Sequence, residues 1–437
     1  MRIVTVVTSL GPGGTERAAE NFSMGLHAAG IDVVVIANQG GVRAENLLRA
    51  GISVFIAGPT PDDWERAIAN VLDWNPDVVH VHRHCASPET TAILERLRGS
   101  VRRIVETNVF SRFDQTPTGA LIDVSLQLSR WCLWKWTQRA GNCALKPVGV
   151  VLPNPVDCRW FSPPSRFERL KARQEYGIPE DALVFGRIGQ PIGAKWSPAI
   201  IKSFAVTARK HLEIYLLLVG LPESFVPMIH ELPSEVRNRI VLIPFLRGDE
   251  NLRLCYGAMD VFLHAANIGE SFGYVLCEAM LCGLPVITVS RPHKDNSQTE
   301  VVGHMRGGVI AATEHDLPAA MTLLIRDPEL RRKLSKGAPE WVKTRFDIPI
   351  VTQQLLRIMQ ISLSSDSLEE ATQRLRAEHF VTNIEWRDLR TLLTEAIGRP
   401  SLSELLMAYM VHVPLIDRCY RRMKTISELL KPRLNPS

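Results

Sequence analysis

Two glutamates with seven residues between them, Glu270 and Glu278, are the most informative chemical feature of the chain. They follow a strand-like run over 260–265, and Cys282-Gly283-Leu284-Pro285-Val286-Ile287 after them reads as a helix end leading into the next strand. Glu270 then lies in a strand-to-helix loop, and Ser271, Phe272 and Gly273 present backbone N–H groups at a helix start, a natural place for phosphate. Glu278 falls in the second turn of that helix. Hydroxyl-rich ligands such as ribose and hexose need carboxylate acceptors beside those donors, and this pair supplies two. A charged capping residue on a solvated helix face would give the same spacing.

Three other constellations could do chemistry. Gly11-Pro12-Gly13-Gly14 follows the first strand and opens a helix, so Gly13 and Gly14 let the backbone approach a ligand. Glu16 stands where a G-x-G-x-x-G turn has its last glycine, and no Gly-Lys-Ser/Thr follows, which excludes the dinucleotide and P-loop patterns. Phe185-Gly186-Arg187-Ile188-Gly189, with Lys195 beyond it, places two cations after a strand. In Asp77-Val78-Val79-His80-Val81-His82-Arg83-His84 the period of two puts the three histidines on one strand face. Their spacing of about 6.6 Å per two residues suits a single shared metal ion poorly.

The elements that must position these groups follow from the apolar pattern. Ile3–Thr8, Asp32–Ala37, Ser53–Ala57, Asp77–His82 and Arg103–Thr107 are Val/Ile-rich strands with helical runs between them, Thr15–Ala29 among these. The pattern restarts at Val184–Gly189, Ile214–Val219, Ile240–Pro244, Asp260–Ala265, Pro285–Val289 and Gly307–Ala311. Continuous apolar strands alternating with helices imply parallel sheets covered on both faces. The expected fold is α/β with two doubly wound, Rossmann-like lobes facing a cleft, joined by a proline-rich link over 151–182. A length of 437 residues fits, at roughly 100–200 residues per domain. The reading divides the chain into 1–155, an acceptor-side lobe; 156–345, a donor lobe; 346–364, a crossing helix; and 365–437, a helical tail.

Composition narrows the class. A formal charge of +5 without a dense basic run gives no footprint for nucleic acid. Eight cysteines form no CxxC pair and no zinc spacing, as expected of buried reduced thiols in a cytoplasmic protein. No apolar run reaches the roughly 20 residues that cross a bilayer.

The residues around both glutamates resemble the E-x7-E motif of retaining glycosyltransferases with the GT-B fold, specifically glycosyltransferase family 4. Glu278-Ala279-Met280 followed by Gly283-Leu284-Pro285-Val286-Ile287 is similar to that family's EAMA-x-G-x-PVI run. Gly186-Arg187 and Lys195 resemble its G-R-x(n)-K-G motif, with Trp196 in place of glycine. Gly13-Gly14-Thr15-Glu16-Arg17 resembles its GG-x-E-R start, 77–82 its DVVH-x-H run, and Pro153-Asn154-Pro155-Val156-Asp157 its interdomain PNGVD, with Pro155 for glycine. Ser271 also departs from the family, which has glycine there. The likeness covers about 1–363 and implies roles. Glu278 would accept from the donor ribose, Glu270 would contact the transferred sugar, and His82, with His84 behind it, would face that sugar. Arg187 and Lys195 would neutralise the diphosphate. Catalytic roles would thus fall on His82, Lys195 and Glu270. Donor binding would fall on Gly13, Gly14, Arg187, Lys195, Ser271, Phe272, Gly273 and Glu278.

The implied activity is transfer of a hexose-type sugar, with retention, from a UDP- or GDP-sugar to a glycan or lipid-linked acceptor. It needs no metal and no cofactor, the nucleotide sugar being a substrate. Two other readings are a GT-B protein that binds a nucleotide sugar without turnover, and an epimerase or phosphorylase on the same fold. Over 401–437 an apolar run is followed by Arg418, Arg421, Arg422, Lys424, Lys431 and Arg433. That tail is either a basic amphipathic element lying on anionic lipid at the inner membrane face or a helical cap on the second lobe.

Overall fold

The computed structural model describes residues 1–410, apart from 84–86, 142, 144–146 and 247–248, together with 413 and 416. The first lobe is a seven-stranded parallel sheet. Its strands are β1 (Arg2–Ser9), β2 (Asp32–Gln39), β3 (Ser53–Ile56), β4 (Val78–Arg83), β5 (Arg103–Asn108), β6 (Val124–Gln127) and β7 (Val148–Val151), in the order β3-β2-β1-β4-β5-β6-β7. The second sheet is also parallel, with β8 (Leu183–Ile188), β9 (Ile214–Val219), β10 (Ile240–Ile243), β11 (Val261–Leu263), β13 (Val286–Val289) and β15 (Gly308–Ala311) in the order β10-β9-β8-β11-β13-β15. Two-residue strands β12 (Gly269–Glu270) and β14 (Asp295–Asn296) pair separately beside it.

In each sheet the order reverses direction beside its first strand, β1 or β8, so a crevice opens at the carboxyl ends of β1 and β4 and again at those of β8 and β11. Alternation sends Ile3, Val7, Val78 and Val105 to one face of the first sheet and Val4, Val6, Val79 and Val81 to the other. The first face is closed by the Gly14–Ala28 helix and by Ile348–Leu363, which returns from the second lobe and buries Val351, Leu355 and Ile358 there. The two crossings between lobes run side by side. The Val156 N–H donates to Phe346 O at 2.7 Å, and the Ile348 N–H donates to Val156 O at 3.1 Å.

Three expectations are corrected. The link over 151–182 contains a helix, Arg166–Glu175, capped by Ser165 and Glu168 and pinned through Arg169 and Arg173 to Asp260. Its charge-rich sequence hides the apolar period. Strands β6 and β7, four residues each, were not read from the pattern. The tail packs against the first lobe rather than capping the second. Ile384, Leu389, Leu392, Leu393 and Ala408 enclose Trp131, Trp134 and Trp136 of the Arg130–Ala140 helix. The Val151 N–H donates to Val381 O at 3.0 Å, so the tail also covers edge strand β7.

Leu389→Ala empties a fully buried position of that tail–helix cluster. It should lower unfolding free energy by about 2–5 kcal/mol and change the tryptophan emission in a denaturant titration. An unaltered midpoint would refute the packing.

Candidate active site

Glu270 sits at the centre of the second lobe's crevice. Its strand β12 lies so close to β14 that a Cβ at Gly269 would run into the Asp295 carbonyl, which explains the glycine before it. The Glu270 N–H donates to Gln298 Oε1 at 3.1 Å, and its carboxylate Oε1 lies 3.0 Å from His264 Nε2. Nδ1 of His264 is 3.1 Å from Thr288 Oγ1. Burial, with Arg187 nearby, pushes the His264 pKa down to about 4, so the ring is neutral at pH 7. A carboxylate only accepts, so Nε2 carries the proton and donates to Glu270, while the Thr288 hydroxyl donates to Nδ1. Burial works against the Glu270 charge, yet the His264 bond and the nearby Arg187 and Lys195 more than offset it and hold the carboxyl below its ordinary value.

Arg187, at the end of β8, is 1 % exposed. Its guanidinium lies over the rings of Trp196 at 5.3 Å and Phe262 at 5.7 Å. It donates to Ile188 O at 2.9 Å and to Lys195 O at 3.0 Å. Burial lowers its pKa to about 10, which leaves it charged at neutral pH. Arg187 therefore braces the loop that carries Lys195 and sends its charge toward Glu270 from below. Lys195 Nζ, half-buried, donates to Gln190 Oε1 at 2.6 Å. Trp196, the departure from the motif's glycine, forms the floor beneath Arg187 and donates from Nε1 to Gln190 O at 2.9 Å.

Glu278 is held differently from what a waiting ribose acceptor requires. In the Tyr274–Leu281 helix it ion-pairs with Arg17 of the first lobe, and the Tyr256 hydroxyl donates to it at 2.8 Å. Gly273, at the cap of that helix, has φ 93°, a conformation that favours glycine. Arg17 lies over the Tyr274 ring at 5.1 Å, and Gly14 backs onto the same ring. The Gly14–Ala28 helix, preceded by Gly13, and the Tyr274–Leu281 helix thus meet start to start across the seam, each offering unpaired N–H groups and a positive dipole end. The Phe272 side chain packs in the core, edge-on to Tyr274 and Phe346, so only its backbone is available to a ligand. Ser271 sits at the same turn, its carbonyl 3.7 Å from Cys132 Sγ.

The first lobe's histidines separate in role. His80 Nε2 is 2.9 Å from Thr107 Oγ1, and the ring packs on Phe22 inside the lobe. His82, 1 % exposed, stacks on His80 with centroids 4.2 Å apart and also touches Phe22. Neither His82 nitrogen has a partner among the described residues. His84 lies outside the described residues. The structure therefore brings Arg187, Lys195 and Glu270 together, and separately Glu278, Gly13, Gly14 and the 271–273 turn. His82 sits beneath the Gly14–Ala28 helix.

Residues 168–341 match the family model described as Glycosyl transferases group 1. The two facing lobes are the GT-B fold. A structure of Anabaena HepE in complex with UDP and glucose superimposes with a TM-score of 0.64 at 20 % identity, covering 82 % of this chain and 99 % of that one. The phosphatidyl-myo-inositol mannosyltransferase of Mycobacterium leprae is 25 % identical over 321 residues, 68 % of this chain and 76 % of the relative. The GDP-mannose-dependent monoacylated alpha-(1-6)-phosphatidylinositol monomannoside mannosyltransferase of Corynebacterium glutamicum is 22 % identical over 257 residues, 57 % of this chain and 65 % of the relative. The chain spans less than two thirds of the length of the first curated relatives it matches.

His264, Tyr256, Gln298 and Arg17 complete the site without having been assigned from sequence. Arg17 had a signal in the GG-x-E-R run. Gln298 lies in the run 295–300, which stands where the family often has a glycine-rich acidic stretch, but no role was read for it. His264 and Tyr256 had no signal, because nothing in a strand-end histidine or a tyrosine in a helix's last turn tells where the chain later folds back.

Burial depresses three histidines: His80 to about 3, His264 to about 4, and His82 well below 6.5. In the unfolded chain each takes a proton near pH 6.5, whereas the folded chain resists it. Stability should be fully present above pH 6.5 and fall as pH drops from there toward 4, by up to about 1.4 kcal/mol per pH unit per histidine. Melting temperature against pH reads this directly. A flat curve between pH 6.5 and 4.5 would show the rings are not buried neutral.

Proposed function

We propose that the chain is a retaining glycosyltransferase that moves a hexose-type sugar from UDP or GDP to a hydroxyl of a glycan or lipid-linked acceptor. The observation that carries this reading is the ionised Glu270, held between His264, Arg187 and Lys195 beside two converging helix starts. A sugar hydroxyl finds an acceptor at Glu270, and the leaving diphosphate finds Lys195 and the N–H groups of the turn. In this reading charge on the diphosphate is met by these groups without a metal. The acceptor hydroxyl attacks on the face the diphosphate leaves, passing its proton to the departing phosphate oxygen. His82 is the first-lobe group assigned to the transferred sugar. Glu278 takes the ribose once Arg17 moves off it.

The relatives' names include GDP-mannose, and the HepE structure holds UDP and glucose, so both bases belong in the test. Either nucleoside diphosphate sugar should raise the melting temperature by mass action, and its hydrolysis or transfer should be measurable by release of UDP or GDP. Glu270→Gln and Lys195→Ala should each cut turnover by about 100-fold or more in folded protein. Stabilisation without turnover in the wild type would instead identify a binder. Near-normal turnover in both variants would remove the site assignment.

A lipid-linked acceptor is supported by the tail. Leu402, Leu406 and Met410 form an exposed stripe on the Leu402–Met410 helix, with Trp386 and Met407 exposed beside it, and a basic stretch follows in sequence. Among the described residues no helix is long and apolar enough to cross a membrane. Deleting 401–437 should abolish sedimentation with anionic vesicles; equal sedimentation of both forms would discard this part.

A further inference from the structure

The run 295–300 divides its side chains between the two lobes. Asp295 ion-pairs with Lys135. Ser297 Oγ lies 2.7 Å from Ser129 Oγ and 3.1 Å from Cys132 Sγ. Glu300 accepts from the backbone N–H groups of Arg130 and Trp131 at 3.2 and 2.8 Å, and from Arg130 Nε at 3.0 Å. All of these partners belong to the first lobe's Arg130–Ala140 helix or to Ser129, which caps it.

The residues between them turn the other way. Asn296 Oδ1 accepts from the Arg291 N–H at 2.6 Å and from Gln298 Nε2 at 3.2 Å. Gln298 Nε2 also donates to Val289 O at 3.0 Å, and its Oε1 takes the Glu270 N–H at 3.1 Å. Strand β14 pairs with β12 in a register that sets Asp295 beside Gly269 and Asn296 beside Glu270. Backbone geometry produces this division. An extended pair sends 295 and 296 to opposite sides, and the Ser297–Val302 helix that follows puts Ser297 and Glu300 on one side. Asn296, Ser297 and Gln298 are buried, so water does not replace a bond lost there.

We propose that 295–300 is a positioning strap through which the first-lobe helix Arg130–Ala140 sets the place of Glu270. Lys135 and Ser129, neither of them bonded to Glu270, then govern how well the second lobe holds the transferred hexose. The proposal rests on the donor reading above. Glu270 is tied through β12 and Gln298 to a segment whose other side is fixed by an ion pair and by carboxylate-to-N–H bonds. A close-packed interior does not absorb a shift of such a segment, so a displacement at Asp295 or Ser297 reaches Glu270. Its bond to a sugar hydroxyl tolerates little misplacement. The leaving diphosphate is met by Lys195, on a loop to which none of these six side chains bonds. The strap therefore acts on the sugar and not on the nucleotide.

The test compares sugar nucleotide with bare nucleotide on the full chain by calorimetric Kd. UDP-glucose is set against UDP and GDP-mannose against GDP, and the pair that the wild type binds is carried forward. Lys135→Met should weaken the sugar nucleotide about fivefold and leave the bare nucleotide unchanged. Ser297→Ala, a smaller change to the fold, should act in the same direction. Arg98→Met removes a first-lobe ion pair to Asp123, away from the run, and should alter neither Kd. In a Glu270→Ala background Lys135→Met should have no further effect, because no carboxylate is left to position. Equal weakening of both nucleotides overturns the proposal, as does unchanged sugar-nucleotide affinity in Lys135→Met and Ser297→Ala proteins with native circular dichroism. A fivefold loss that persists without Glu270 overturns it as well, since the strap then acts elsewhere. Failure of the donor reading looks different: the wild type then binds neither pair, and this proposal falls with it.

Discussion

A carboxylate taken out of water has to be compensated, and Glu270 is compensated three ways at once. His264 donates to it, and Arg187 and Lys195 supply positive potential. That requirement propagates. Arg187 can sit buried only because two carbonyls and two aromatic rings take up its guanidinium, which in turn fixes the path of the loop from Gln190 to Trp196. His264 can stay neutral only with a proton donor at Nδ1, which Thr288 of the neighbouring strand provides. Removing one member would leave a buried charge or an unpaired polar atom, a loss several times that of a surface ion pair.

The seam between the lobes follows a related logic. Arg17 and Glu278 come from opposite lobes and meet beside Tyr256 and Tyr274. The Pro155 carbonyl accepts from Asn21 at 2.8 Å and from Tyr274 at 3.2 Å, tying the first crossing segment to both helices. One carboxylate, Glu278, thus ties a helix of each lobe together.

Much of this was legible beforehand. Continuous Val/Ile runs located β1, β4, β8 and β9 because strands buried on both faces leave no alternating polar positions. The glutamate pair and the Arg187–Lys195 pair were visible because motif spacing survives translation into any fold. Depth was not legible. A strand-end arginine reads the same whether it reaches solvent or lies under a loop, and only the packing of Trp196 shows that Arg187 takes the second course. The tail was read as helical, but where its 386–397 helix would dock was not. The socket, Trp131, Trp134 and Trp136, lies more than two hundred residues earlier and itself reads as an ordinary apolar helix.

Arg130 stands where three parts of the molecule meet. It binds Glu300 of the second lobe at 3.0 Å and Glu395 of the tail at 2.8 Å. The tail packs mainly on the first lobe, because its side chains clasp the helix that Arg130 begins, and Trp386–Ile397 also touches β15 of the second. Of the two ion pairs of Arg130, only the one to Glu300 crosses to the second lobe. The backbone N–H groups of Arg130 and Trp131 also donate to Glu300, at 3.2 and 2.8 Å, so this corner is held by more than one ion pair. An appendage outside both sheets thereby lends a second carboxylate to a cation at the seam between them.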